Sequence, residues 1–204
     1  MTEWKLFDQQ VPEPAASLPA RPWMSLEGQP GFTQRAGLVA GLARWAAPVR
    51  SVTDLGCGDG SLLARLRDVL LPADIPMWGY DLGKADLAYG QQRGLDLRSG
   101  DITKPHRLEY GELVIATEVA EHLEDPEDFL RGIQAALLIV SSPSAETGDW
   151  HNPIHAWAWD RAGYDELVRR SGWTPVWHAG CDAGLNTFAG VTALQRFQAI
   201  LAVR

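Results

Sequence analysis

The chain has 204 residues, of which 46% are hydrophobic and 22% charged, and its formal net charge is −8. This length suits one compact domain, and the composition excludes the disordered and fibrous classes of protein. Because nucleic acids are bound largely through positive charge, an acidic chain of this kind is not expected to take them as partners.

Cysteine spacing and hydropathy indicate the cellular compartment. Cys57 and Cys181 lie far apart, so the sequence contains neither a zinc motif nor a disulfide framework. The longest apolar run, residues 135–140, is much shorter than a membrane-spanning helix requires. The first ten residues lack the basic start and apolar run of a secretion signal. We therefore expect a cytoplasmic protein with no membrane partner.

The chain begins with an irregular arm, residues 1–31, in which five prolines interrupt any long helix or central strand. We expect this arm to pack as a lid or edge, and residues 32–204 to form the functional domain. Thr33 is predicted to cap a first helix that ends near Ala46. The buried face of that helix is predicted from its apolar spacing to contain Leu38, Val39, Leu42 and Trp45.

After this helix, short apolar runs alternate with helical patterns. Strands are predicted at residues 51–55, 77–80, 95–98, 113–116, 138–141, 174–178 and 197–203. Helices are predicted at residues 61–71, 126–136 and 160–172, with a helix or turn before residue 95. Strands joined by helices indicate an α/β fold with a doubly wound, mostly parallel sheet of seven strands.

The first strand of this sheet ends in a glycine-rich loop, VTDLGCGDG, at residues 52–60. Gly56, Gly58 and Gly60 permit positive φ angles and let a ligand approach the backbone closely. Their G-x-G-x-G spacing differs from the G-x-G-x-x-G spacing of dinucleotide-binding loops. Asp54 adds a carboxylate that suits an amino group and repels a pyrophosphate. Nicotinamide and flavin dinucleotides are therefore the poorer fit.

Two further acids follow the next two predicted strands. Asp81 lies 21 residues after Gly60, where a carboxylate can accept hydrogen bonds from both hydroxyls of a ribose. Asp101 can bond the exocyclic amine of a base, and Ile102 can pack on the ring. A capping role for Asp81 and a simple turn at Asp101 are the alternatives.

These motifs, in this order, resemble those of the class I S-adenosylmethionine-dependent methyltransferases across residues 51–172. The resemblance implies a Rossmann-like methyltransferase fold and S-adenosylmethionine as the cofactor. It places the methionine part at the glycine loop, the ribose at Asp81 and the adenine near Asp101. The cofactor-binding residues that it implies are Asp54, Gly56, Cys57, Gly58, Gly60, Asp81, Leu82, Asp101, Ile102 and Thr117.

The fourth strand runs into the segment TEVAEHLEDP, residues 117–126, beside the expected cofactor. If this segment turns helically, Glu118, Glu121 and His122 share one face and form the predicted catalytic group. Methyl transfer requires chiefly an aligned acceptor, and it needs a base when the acceptor carries a proton. His122 is the predicted base, and either acid can orient it or bind a cationic acceptor. The alternative is a structural histidine at a strand-to-helix corner.

The segment DWHNPIHAWAW, residues 149–159, is rich in histidine and tryptophan. We expect His151, His155 and Trp157 to contact the acceptor, although an exposed loop is the alternative for the two histidines. Many family members that act on small molecules look similar here and after the fourth strand. The prediction is therefore methyl transfer to an oxygen or nitrogen of a small organic molecule, with no metal.

Two other functions remain open at this point. Glu118, Glu121, His122 and His155 also resemble the ligands of metal-dependent enzymes that methylate the terminal ribose 2′-hydroxyl of small RNAs. Such a donor set suits Mn²⁺, Co²⁺ or Fe²⁺. The net charge opposes an RNA partner, and the E-x-x-E-H pattern is widespread among relatives that use no metal. The other alternative is a non-catalytic relative that only binds the cofactor.

Overall fold

The computed structural model describes residues 3–5, 27, 31–69, 74–144, 146, 154–188 and 191–204, without the side chains of residues 3–5, 183–188 and 191–195. The strands in these ranges are β1 (Glu3–Lys5), β2 (Val52–Leu55), β3 (Met77–Asp81), β4 (Asp96–Ser99), β5 (Leu113–Thr117), β6 (Leu137–Pro143), β7 (Trp157–Trp159), β8 (Thr174–Phe188) and β9 (Val191–Val203). The α-helices are α1 (Phe32–Ala46), α2 (Ser61–Val69), α3 (Lys84–Gln92), α4 (Pro126–Gly132) and α5 (Arg161–Arg170).

Seven of these strands form one sheet in the order β4-β3-β2-β5-β6-β9-β8. Neighbours from β4 to β6 are parallel, whereas β9 runs antiparallel to both β6 and β8. The predicted doubly wound, mostly parallel sheet of seven strands is confirmed. Strands β3 and β4 lie on one side of β2, and β5 and β6 lie on the other, so the strand order reverses at β2. Ligands of open α/β sheets bind at such a reversal, beyond the carboxyl ends of the strands.

Helices cover both faces of the sheet, which explains why its central strands are almost continuously apolar. One hydrophobic cluster joins the sheet to α1, α2 and α3 through Val39, Leu63 and Leu87. A second cluster on the opposite face joins it to α4 and α5 through Leu130 and Leu167. Burying a side chain of this size contributes about 1.5–3 kcal/mol, so the two clusters fix the sheet and the loops at its edge.

Two helices differ from the sequence prediction. Helix α1 begins at Phe32 after Gly31 and has no side-chain cap, so the capping role of Thr33 was wrong. Trp45 is 57% exposed and lies against Trp177 of β8 instead of the core, with ring centroids 5.9 Å apart. Helix α4 ends at Gly132 because Ile133 is already extended where the chain turns toward β6.

Two further differences from the sequence prediction involve strands. Residues 3–5 of the arm form β1, which pairs antiparallel with β7, so these three residues are not irregular. Most other residues of the arm lie outside the described ranges, and its action as a lid stays a prediction. The last two strands form a hairpin that is longer than the sequence pattern predicted. Among the described residues, no helix is long and apolar enough to cross a membrane.

Candidate active site

The glycine loop lies at the carboxyl end of β2 in a conformation that requires glycine. Gly56, Gly58 and Gly60 have φ angles of 74°, 53° and 75°. These angles fall in the left-handed region, which residues with a Cβ adopt only at an energetic cost. A Cβ on Gly56 would lie 2.6 Å from Cγ2 of Val119. The loop therefore combines a tight turn with an open backbone surface.

Hydrogen bonds tie this loop to β3. The N–H groups of Gly56 and Cys57 both donate to the carbonyl of Tyr80, at 2.8 and 3.1 Å. Oδ2 of Asp81 accepts from the N–H of Gly58 at 2.8 Å, and its Oδ1 accepts from the N–H of Gly83 at 2.8 Å. A carboxylate offers about four acceptor positions, so Asp81 caps the turn and retains acceptor capacity for ligand hydroxyls.

Asp54 is a buried acid beneath the glycine loop. It is 1% exposed, and its Oδ1 has no hydrogen-bond partner among the described residues. Burial, with a further contribution from the charge of Asp81, holds the pKa of Asp54 well above its usual range. A buried carboxylate is costly unless a cation or donor meets it. The site therefore fits a ligand that carries an ammonium group.

The other predicted cofactor residues fall into two groups. Ile102 faces the loop, because its Cδ1 lies 3.8 Å from the position that a Cβ on Gly56 would take. Leu82 and Thr117 are half-buried after β3 and at the end of β5. Cys57 instead packs its side chain into the core, where Sγ would lie 2.6 Å from a Cβ on Gly79. Its thiol therefore serves packing, and burial raises the pKa of that thiol.

Asp101 is engaged within its own loop. Its Oδ1 accepts from the N–H and hydroxyl of Thr103 at 3.1 and 2.6 Å, and Oδ2 pairs with Nζ of Lys104 at 2.6 Å. The bond from Lys104, followed by that from Thr103, lowers the pKa of Asp101. The turn that the sequence offered as an alternative is therefore present, and contact between Asp101 and an adenine stays a prediction.

The acidic segment after β5 does not form the helical face that the spacing predicted. Glu118 has a φ of 56°, and a short 3₁₀ turn, Ala120–His122, follows it. Such a φ is uncommon outside glycine and persists when surrounding contacts hold it. Here Oε1 of Glu118 accepts from the hydroxyl of Ser141 at 2.8 Å, and Oε2 lies 3.8 Å from Arg35 of α1.

Glu121 is fully buried at the centre of the site. Neither carboxylate oxygen has a hydrogen-bond partner among the described residues. Burial is the main reason that the pKa of Glu121 lies well above its usual range, and the charge of Glu118 raises it further. Because burying an unpaired carboxylate costs several kcal/mol, on the order of 3–5, a group of this kind at a strand end indicates function.

Two imidazoles meet Glu121. The rings of His122 and His155 contact each other edge to face, with centroids 4.6 Å apart. Nδ1 of His122 lies 3.1 Å from the carbonyl oxygen of Ile154, and Nδ1 of His155 lies 2.8 and 2.9 Å from the two oxygens of Glu146. One ligand atom from each of Glu121, His122 and His155 lies within 4.8 Å of the others, so these three residues could hold one cation.

The structure thus brings together most residues that the sequence selected. Trp157 lies beside the cluster, where its Nε1–H donates to the carbonyl of Leu123 at 2.9 Å. His151 lies outside the described residues. Sequence reasoning missed Arg35, which lies on α1, and Glu146, which follows β6. No spacing pattern connects either residue to the cluster.

Comparisons with known proteins agree with this fold. A profile described as a methyltransferase domain matches residues 32–178. The chain resembles the methyltransferase domain of bacterial CtHen1 at 18% identity and a TM-score of 0.61, covering 85% of this chain and 100% of that chain. It also resembles a SAM-dependent methyltransferase from Archaeoglobus fulgidus at 16% identity and a TM-score of 0.59, covering 83% and 94%. TehB from Haemophilus influenzae matches at 16% identity and a TM-score of 0.60, covering 82% and 62%.

No curated protein matches the chain. The profile spans well over half of the sequence, and the solved structures share the fold. An α/β protein with a glycine loop, a buried acid beneath it and an acidic cluster at the neighbouring strand end has the architecture of a methyltransferase. The chain belongs to the class I S-adenosylmethionine-dependent methyltransferase family.

Proposed function

We propose that this chain transfers the methyl group of S-adenosylmethionine to an oxygen or nitrogen of a small organic acceptor. The observation that carries the proposal is the buried, unpartnered Oδ1 of Asp54 beneath three glycines with positive φ. The same edge of the sheet presents Glu118, Glu121 and His122. One group of residues therefore suits a cationic cofactor, and its neighbour suits an acceptor that must lose a proton.

Each part of the cofactor has a group that fits it. Asp54 binds the ammonium of the methionine part, and the glycine backbone approaches its chain closely. Asp81 accepts from the ribose hydroxyls, and Ile102 packs on the adenine. When bound, S-adenosylmethionine supplies a methyl group on a positively charged sulfur.

The acidic cluster deprotonates and positions the acceptor. Methyl transfer from a sulfonium depends mainly on orientation, which contributes at most about 7–11 kcal/mol. An acceptor hydroxyl also has to lose its proton. Nδ1 of His122 faces the carbonyl of Ile154, which only accepts, so we assign the ring proton to Nδ1 and the basic lone pair to Nε2. Nε2 of His122 is therefore the base that we assign, and Glu121 stabilises the imidazolium that forms.

The test is methyl transfer from radiolabelled S-adenosylmethionine to a panel of small hydroxyl and amine acceptors. We expect turnover with at least one class, and loss of that turnover in Glu121→Gln and His122→Ala. The matched control is Glu112→Gln, since Glu112 lies at the opposite end of β5 and pairs with Arg50. A chain that binds the cofactor product but methylates no acceptor would indicate the non-catalytic alternative.

A second candidate function is favoured by one observation, the unpartnered carboxylate of Glu121 beside two imidazoles. Glu121, His122 and His155, with Glu118 close by, fit Mn²⁺, Co²⁺ or Fe²⁺, which accept mixed oxygen and nitrogen ligands. Such a cation would supply positive charge that lowers the pKa of a bound hydroxyl. The acceptor would then carry neighbouring hydroxyls, as the terminal ribose of an RNA does.

Chelation separates the two candidates. Turnover that survives EDTA supports the first candidate, whereas turnover that EDTA abolishes and Mn²⁺ restores supports the second. Small diols and short RNAs, assayed side by side with Mn²⁺, then distinguish a small acceptor from a nucleic acid.

We also place the chain in the cytoplasm, which is supported by Cys57 and Cys181 both being free thiols.

A further inference from the structure

We propose that Arg35 is a specificity-determining residue, which selects acceptors that carry a carboxylate group. The inference rests on the first candidate function, methyl transfer to a small organic molecule, and it narrows the class of that molecule. The guanidinium of Arg35 binds the carboxylate, while a hydroxyl or amine of the same acceptor receives the methyl group.

Arg35 lies near the start of α1 and extends into the candidate active site. Its Nη1 lies 3.8 Å from Oε2 of Glu118, and its Cζ lies 5.1 Å from the centre of the Phe197 ring. The aromatic ring adds a cation–π contact, which restrains the guanidinium without accepting a conventional hydrogen bond. These two contacts hold the cation beside the acidic cluster before any ligand binds.

The guanidinium of Arg35 has donors to spare, since such a group carries five N–H donors. A separation of 3.8 Å makes the contact with Glu118 an ion pair without a hydrogen bond. The guanidinium donates no hydrogen bond to any other residue in the described ranges. The side chain is only 16% exposed, so water can satisfy few of these donors. A charge with this little solvent and no hydrogen bond is costly, which indicates a ligand.

The order of the strands places Arg35 on the acceptor side of the site. The glycine loop follows β2, and the order across the sheet is β2-β5-β6-β9. Oε1 of Glu118 accepts from Ser141 of β6, so its side chain is directed toward β6. Phe197 lies on β9, which is about 14 Å from β2 because neighbouring strands are about 4.8 Å apart. Arg35 therefore lies away from the glycine loop, where the methionine part of the cofactor is proposed to bind.

A carboxylate suits these donors better than a neutral group does. Its two oxygens match two parallel N–H groups of a guanidinium, and the resulting hydrogen bonds are charge-assisted. Glu118 already balances part of the positive charge of Arg35. The gain from a ligand carboxylate therefore comes chiefly from these directional bonds, which typically change affinity by about 10–100-fold.

The test uses the full chain saturated with S-adenosylhomocysteine and two matched pairs of probes. The pairs are 3-hydroxybenzoate with 3-hydroxybenzamide and 3-aminobenzoate with 3-aminobenzamide. We expect at least one carboxylate to bind about 10–100-fold more tightly than its amide and to shift the ¹⁵N signal of Nε of Arg35. Arg35→Gln assigns that signal and should remove the preference. Arg50→Gln is the matched control and should keep the preference, because Arg50 pairs with Glu112 at the opposite end of β5.

A second variant, Arg35→Lys, keeps the positive charge but loses the paired N–H groups. It should lose most of the preference for the carboxylate, and it replaces Arg35→Gln if that variant does not fold. Binding of S-adenosylhomocysteine shows which variants are folded. Undiminished preference in both folded variants would overturn the proposal.

The remaining outcomes separate this inference from the proposed function. If the wild type does not bind S-adenosylhomocysteine, the proposed function fails and this inference fails with it. If the wild type binds that product but prefers neither carboxylate over its amide, only this inference fails. If S-adenosylhomocysteine alone shifts the Arg35 signal and binds more weakly to Arg35→Gln, the guanidinium binds the carboxylate of the cofactor, and the proposal is overturned.

Discussion

The N–H of Gly58 donates a 2.8 Å hydrogen bond to Oδ2 of Asp81, which joins the loop after β2 to the last residue of β3. The other carboxylate oxygen accepts from Gly83 at 2.8 Å. One acid therefore orders two loops that border the proposed cofactor site. In the proposed complex the same two oxygens would also accept from the ribose hydroxyls, so a substitution of Asp81 should affect both the two loops and cofactor binding.

Asp81→Asn is expected to weaken binding of S-adenosylhomocysteine by about 10–100-fold, since bonds to a charged group contribute about 1.5–3 kcal/mol each. The side-chain NH₂ group of the asparagine would face one of the two backbone N–H groups that now donate to Asp81. Two donors cannot bond each other, so the melting temperature should fall. Titration calorimetry and thermal melting measure the two effects. Asp96→Asn, which alters a surface contact with Arg98, is the control and should retain wild-type affinity.

Asp54→Asn is expected to abolish a proton release that accompanies binding. Because the pKa of Asp54 lies well above 3.8, a fraction of the chains still carries a proton on this carboxyl group when the pH exceeds 3.8. A ligand ammonium favours the ionised form and expels this proton. Calorimetry at one pH in buffers of different ionisation enthalpy measures the release. Equal release by the wild type and the variant would show that the ammonium lies elsewhere.

Gly56→Ala is expected to destabilise the chain by about 1–3 kcal/mol and to weaken cofactor binding. The added Cβ combines a φ of 74° with a position 2.6 Å from Cγ2 of Val119. Gly37→Ala is the matched control, because Gly37 lies within α1 and its added Cβ meets no atom within 4 Å. That change should stabilise the chain by about 0.5–1 kcal/mol. Urea denaturation of both variants tests the contrast.

Glu121→Gln is expected to stabilise the folded chain while it removes activity. In the folded state the pKa of Glu121 lies well above 4.5, so the folded chain keeps a proton that the unfolded chain has lost. The free energy of unfolding therefore falls as the pH rises from about 4.5 through the folded pKa. Glutamine carries no charge at any pH. The free energy of unfolding of the variant should therefore equal that of the wild type near pH 4 and exceed it by about 1–3 kcal/mol at pH 8.

Glu112→Gln provides the control of opposite sign for this measurement. Hydrogen bonds from Arg50 lower the pKa of Glu112, so its ionised form stabilises the folded state. That contribution is present above pH 4.5 and is lost as the pH falls through the folded pKa. Denaturation curves must therefore extend from pH 8 to well below pH 4.5. Relative to the wild type, Glu121→Gln should gain stability as the pH rises above 4.5, whereas Glu112→Gln should be less stable above pH 4.5 and lose that deficit as the pH falls. If the stability of Glu121→Gln and of the wild type changed with pH in the same way, the raised pKa of Glu121 in the folded state would be contradicted.

The sheet and the glycine loop were predictable because their signals are local. Apolar runs bounded by turn residues marked all seven strands of the main sheet, and the G-x-G-x-G spacing after β2 marked the loop with its three positive φ angles. The order of Asp54, Asp81 and Glu118 along the chain also predicted their meeting at one edge, since parallel strands end on the same side.

Features that depend on distant residues were not predictable. Glu118 reaches the cluster through a left-handed backbone conformation held by Ser141 and Arg35, and no helical spacing encodes it. Glu146 contacts His155, which lies nine residues later in the chain, and that separation carries no periodic signal. Residues 3–5 pair with β7, although the proline-rich composition around them indicated an irregular arm.

Binding of S-adenosylhomocysteine to the full chain, compared with binding of NADH by titration calorimetry, is the decisive measurement. The glycine loop, with its three positive φ angles and the buried carboxylate of Asp54 beneath it, should bind S-adenosylhomocysteine at one site per chain. It should not bind NADH. NADH binding without any binding of S-adenosylhomocysteine would contradict the proposed cofactor, and with it the proposed reaction.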